Sequence, residues 1–162
     1  EEFLSVFGVI ENAAAALIAS QTGRIVRQIG TRPTIAISMA FTGVAAVLLA
    51  VAPSLPATLL AAAISGAAWT AGSIGVFMFF SENTPPDNVT HFSTAYNQVI
   101  SLSIFVGPLL GSQLAGALSD LSVVLLIGAA LRLVAAALIS LNLFGRQRAR
   151  PQPEADPLSI SG

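Results

Sequence analysis

Apolar residues run in long stretches along this chain, and polar residues collect in short intervals between them. A hydrocarbon layer about 30 Å thick is crossed by roughly 20 mostly apolar residues in a helix, and five stretches of that order stand between natural breaks. The first runs from Phe3 to Ser20 and gives way to Gln21-Thr22-Gly23-Arg24. The second starts at Pro33, a residue suited to the first turn of a helix, and runs to about Ala52, where Pro53-Ser54-Leu55-Pro56 forms a tight turn. The third spans about Ala57 to Phe80 and meets the breaker-rich loop Ser81 to Asn88. The fourth spans about Phe92 to Leu118, and Ser119-Asp120, either of which can cap a helix, links it to a fifth over about Leu121 to Phe144. Residues 146–162 carry three prolines among alternating polar groups and are expected to be a disordered cytoplasmic tail.

Helices fit these stretches and strands do not. Alanine and leucine dominate, and the runs lack the alternation of an outer-membrane barrel. A helix also satisfies each backbone polar group within its own segment, which an open sheet inside a bilayer cannot do. The expected fold class is therefore all-α, a polytopic transmembrane bundle of about five spans.

Composition sharpens this reading. Hydrophobic residues make up 54% of the 162 and charged ones 9%, against roughly a quarter charged in soluble domains. Mean hydropathy is +0.80. The net charge of −1 and the absence of a broad basic face argue against nucleic acid as a partner. The chain has no cysteine and a single histidine, His91, which removes thiolate chemistry and His-rich metal sites from consideration. No Gly-x-Ser-x-Gly elbow and no Gly-x-x-x-x-Gly-Lys loop occurs, so neither an enzyme nor a cofactor is expected.

The arginines give an orientation. Arg24, Arg27 and Arg32 form one cluster and Arg146, Arg148 and Arg150 another, with no lysine anywhere. Cytoplasmic loops are enriched in such residues, and an even number of spans separates the clusters, so both are expected inside, with the C-terminus cytoplasmic in a plasma (inner) membrane. Glu1 would then lie outside. Together with the missing initiator Met and signal pattern, this reads as a chain cut from something longer.

A charge near the bilayer centre costs at least about 2.5–3.5 kcal/mol, so Glu11 and Arg132, both mid-span, need reasons. They either pair with each other or find partners in further sequence, or Glu11, beside Asn12, faces a water-filled pathway and exchanges a proton or binds a cation. Ser65, Trp69 and Ser73 recur at helical spacing beside Gly66, Gly72 and Gly75 and make one small, weakly polar face, suited either to close packing or to a cavity wall. Asn97 and Gln98 are costly against lipid and should look inward. Gly107, Pro108 and Gly111 suit a close helix crossing or a bend.

The segment Gly23-Arg24-Ile25-Val26-Arg27-Gln28-Ile29-Gly30-Thr31-Arg32-Pro33 resembles the cytoplasmic loop signature of the major facilitator superfamily at Gly23, Gly30 and Arg32. Arg27 stands where that family has Asp, and Gln28 where it has a basic residue. Val106-Gly107-Pro108-Leu109-Leu110-Gly111 is similar to the glycine-proline segment of the family's eleventh helix. The resemblance implies helices eight to twelve of a twelve-helix fold, with the N-terminal half of the same protein as a missing partner. It further implies a secondary transporter of small molecules working by alternating access within a lipid bilayer, with Glu11, Asn12, Trp69, Asn97 and Gln98 toward the substrate or coupling pathway and Arg132 peripheral and structural. One carboxylate in an apolar pathway would suit proton-coupled efflux of amphipathic or cationic compounds. The competing reading is a non-transporting subunit that docks its helices against a partner protein.

Overall fold

A computed structural model describes residues 2–51, 54–84, 88–118 and 120–141, without the side chains of residues 2–4. Among these residues there are helices and no strands. They are α1 (Glu2–Ile29), α2 (Thr31–Val51), α3 (Leu55–Asn83), α4 (Val89–Leu118) and α5 (Leu121–Leu141). The expected tail, together with Ala52, Pro53, Pro85, Pro86, Asp87 and Ser119, lies outside the described residues.

α1 continues past Ser20 to Ile29, because Gln21, Arg24, Arg27 and Gln28 are polar but good helix formers. A single residue, Gly30, makes the turn into α2. Its φ of 89° is a backbone state that costs an L-residue with a side chain roughly 1–2 kcal/mol. Gly30 N donates to Val26 O at 2.8 Å, and the Thr34 hydroxyl donates to Gly30 O at 2.8 Å, so the turn is bonded to both helices. α2 begins two residues before Pro33, which sits in the first turn where its missing N–H costs nothing. At the start of α5, Asp120 Oδ1 accepts from Ser122 N at 2.8 Å, the cap expected there.

The helices pack in the spatial order α1, α3, α2, α5. α4 meets α5 lightly and touches α3 through the Phe80 and Tyr96 rings, 4.9 Å apart. Small residues fill the contacts. Ala36, Ala45, Ala46, Ala61, Ala62, Ala68, Ala71, Ala129 and Ala136 are buried, with Val26 and Ile35 the larger exceptions, and the buried polar residues are Thr22, Thr31, Thr34 and Ser38. Leu17, Phe77, Leu131 and Leu138 are exposed instead. A soluble protein buries such side chains, whereas in a bilayer lipid covers them and close approach between small residues holds the helices together. Among the described residues, α2, α3, α4 and α5 are long and apolar enough to cross a membrane by length and composition. α1, at 28 residues, is long enough but carries Glu11 and Asn12.

Candidate functional site

Glu11 lies half-buried on α1 where that helix crosses α3. The approach depends on Gly66: a Cβ there would collide with the backbone carbonyl of Glu11. Ser65, the preceding residue, donates its hydroxyl to Glu11 Oε1 over a long 3.5 Å. The two helices thus place one carboxylate and one hydroxyl in an otherwise apolar contact. Among the described residues there is no group of three His, Asp or Glu side chains able to hold a metal ion.

Pairing of Glu11 with Arg132 does not occur. The backbones of α1 and α5 do not approach each other, because α3 and α2 lie between them. Arg132 is exposed and folds back along its own helix, its Nη1 3.3 Å from the position of a Cβ on Gly128. Matching depth in the sequence said nothing of which helices would be neighbours.

The other proposed pathway residues are spread over three helices. Asn12 is exposed and donates Nδ2 to Gly8 O at 2.7 Å, so its amide is engaged on α1 itself. Trp69, at 68%, and Ser73 are exposed on α3, while Ser65 and Gly66 face α1, and Gly72 and Gly75 face Ser38 and Ile35 of α2. Ser65, Trp69 and Ser73 therefore do not share one face: Ser65 meets α1, and the other two are exposed. Asn97 and Gln98 are exposed on α4, a helix that buries no residue among those described. Asn97 Nδ2 donates to Ser93 O at 3.0 Å. The structure brings Glu11 and Ser65 into contact and leaves Trp69, Asn97 and Gln98 exposed.

The close crossing expected at Gly107 and Gly111 is not made within the described bundle, where a Cβ on either would meet open space. α4 runs on as helix through Pro108. The signature positions are also arranged differently from a loop: Gly23 is inside α1, Gly30 is the turn, and Arg32 is the second residue of α2.

At this same end, sequence reading missed a set of contacts. The buried Thr31 donates its hydroxyl to Glu82 Oε2 at 3.1 Å, joining the start of α2 to the end of α3. Arg32 lies over the Phe79 ring, its Cζ 5.2 Å from the centroid, a cation–π contact. Glu82 read as part of the following loop, and only its place two residues past the expected helix end at Phe80 hinted otherwise.

A family model described as Major Facilitator Superfamily matches residues 3–160. Comparison with curated proteins and with solved structures gives no match.

Proposed function

The chain belongs to the major facilitator superfamily, a family of membrane transporters, and from that premise we propose that Glu11 is the coupling carboxylate of a secondary transporter working by alternating access. One observation carries the reading: a half-buried carboxylate on α1 whose side-chain partner is the Ser65 hydroxyl rather than an arginine. A charge so placed costs several kcal/mol unless it is neutralised or hydrated. Protonation removes the charge and lets the helix pair pass through a closed, dry state. Deprotonation from the other side completes the cycle, so the carboxyl moves one proton per turn. Trp69, one turn from Ser65 along α3 and exposed, offers this proposal an aromatic face for an amphipathic cation.

The efflux direction and a plasma (inner) membrane location belong to this proposal, and the arginines at the α1–α2 turn support only its placing of that end inside. The docking-subunit reading draws on α4, whose exposed Asn97 and Gln98 require a polar neighbour in a bilayer.

The test uses the full-length protein in inverted vesicles with tetraphenylphosphonium as the probe. Glu11→Gln is expected to abolish accumulation driven by a proton gradient while membrane insertion is unchanged. Exchange of labelled for unlabelled probe, which needs no proton, should persist. Accumulation at the normal rate in Glu11→Gln would remove Glu11 from coupling, and absence of any probe movement in the parent protein would remove the lipophilic-cation substrate.

A further inference from the structure

Apart from the Glu11 region, two grooves of similar size flank the packing of α2 on α5. The first, about 390 Å³, is lined by Arg32, Ile35, Phe79 and Ile139 and lies where α2, α3 and α5 meet at the arginine-bearing end. The second, about 380 Å³, lies between Pro33, Ala36, Ile37, Ala40, Leu133 and residues 136, 137 and 140. Its lining has no charged side chain. The two grooves therefore differ in one respect that matters chemically.

We propose that the first groove is a seat for one anionic phospholipid, its phosphate on Arg32 and the start of an acyl chain against Ile35 and Ile139. The groove is open on one side rather than enclosed, and in this proposal that open side meets lipid. Its cation stands at the end of a membrane helix, the depth at which lipid phosphates lie, and its apolar wall extends from there toward the interior. Basic pockets between membrane helices recruit anionic headgroups in this way. Stacking on Phe79 restrains the guanidinium without using its hydrogen-bond donors, which remain for phosphate oxygens. Arg24 and Arg27, exposed on the last two turns of α1, add two positive charges at the same end. The opposing group is Glu82. Its carboxylate accepts the Thr31 hydroxyl, and Thr31 points about 100° around α2 from Arg32. Among the described residues, three cations stand against one carboxylate at this end, a balance that favours an anion.

The experiment is native mass spectrometry of the full-length protein with phosphatidylglycerol and phosphatidylcholine of equal chain length. The parent should retain phosphatidylglycerol in preference, and Arg32→Gln should reduce that preference by about fivefold, the contribution of one surface cation toward an anionic leaflet. Arg32→Lys should keep most of it, which separates charge from misfolding. Ile139→Trp, filling the apolar wall, should lower phosphatidylglycerol retention with Arg32 intact, whereas Ala137→Trp in the uncharged groove should not. Inorganic phosphate in excess should leave the lipid bound. An unchanged preference in Arg32→Gln, an equal loss in Ala137→Trp, or displacement by inorganic phosphate would each overturn the proposal.

Discussion

At Gly66 a single hydrogen in place of a methyl group decides whether α1 and α3 can meet. The atom that a Cβ would strike is the carbonyl of Glu11, part of the helix backbone, so no side-chain rotation relieves the clash. Gly66→Ala should therefore push α1 away from α3 and cost about 1–3 kcal/mol, the usual penalty for overpacking a tight contact. Gly8, in the same helix as Glu11, has nothing within 4 Å of its Cβ position. Gly8→Ala should be neutral or slightly stabilising, since alanine favours a helix over glycine. Thermal unfolding of the two variants in detergent checks this, and equal midpoints would show that the α1–α3 approach is looser than described. The sequence placed Glu11 mid-span and Ser65 on a weakly polar face, but that the two touch was not legible. It follows from the crossing of α1 and α3, which depends on tertiary packing, whereas periodicity reports only which residues share a face of one helix.

The elements themselves were largely visible in the run lengths of apolar residues, and their ends were not. Polarity marked Gln21 to Arg32 as a loop, yet Gln21, Arg24, Arg27 and Gln28 are helix formers that reach solvent from the last turns of α1. Only Gly30 breaks the backbone there, and the turn is one residue long. Its positive φ predicts a graded series: Gly30→Ala should destabilise by roughly 1–2 kcal/mol, while Gly30→Asn should lose less, because asparagine tolerates the left-handed region. Denaturation of the purified variants reads the difference directly. Equal losses in both would mean that the backbone at residue 30 is not in that region. The same turn sets Thr31 toward Glu82 and Arg32 over Phe79, so a kinked or lengthened junction should also weaken lipid retention at the first groove.

Over the whole molecule, the inversion of side-chain size, alanine within and leucine or phenylalanine without, is the physical mark of packing in lipid. Hydropathy alone announced the membrane, but exposure alone does not say which outward face meets lipid and which meets water. Trp69 and Leu131 illustrate this, at 68% and 67% exposed. This stretch contains no cysteine, so single cysteines placed in it on a cysteine-free background resolve both orientation and pathway. With the arginine-bearing end inside, an impermeant maleimide added outside whole cells should modify Ser54→Cys and Asp120→Cys, while Gln28→Cys and Asn83→Cys should react only after permeabilisation. The opposite pattern would reverse the orientation, and reaction of all four from one side would mean that the helices between them do not span. Leu131→Cys should stay silent in both conditions because thiol ionisation and the reagent both need water. Trp69→Cys should react, since the reading of Ser65, Trp69 and Ser73 as a pathway wall requires water along that side of α3. If it is as silent as Leu131→Cys, that stripe faces lipid, and Glu11 has no aqueous approach along α3 by which a proton could reach it.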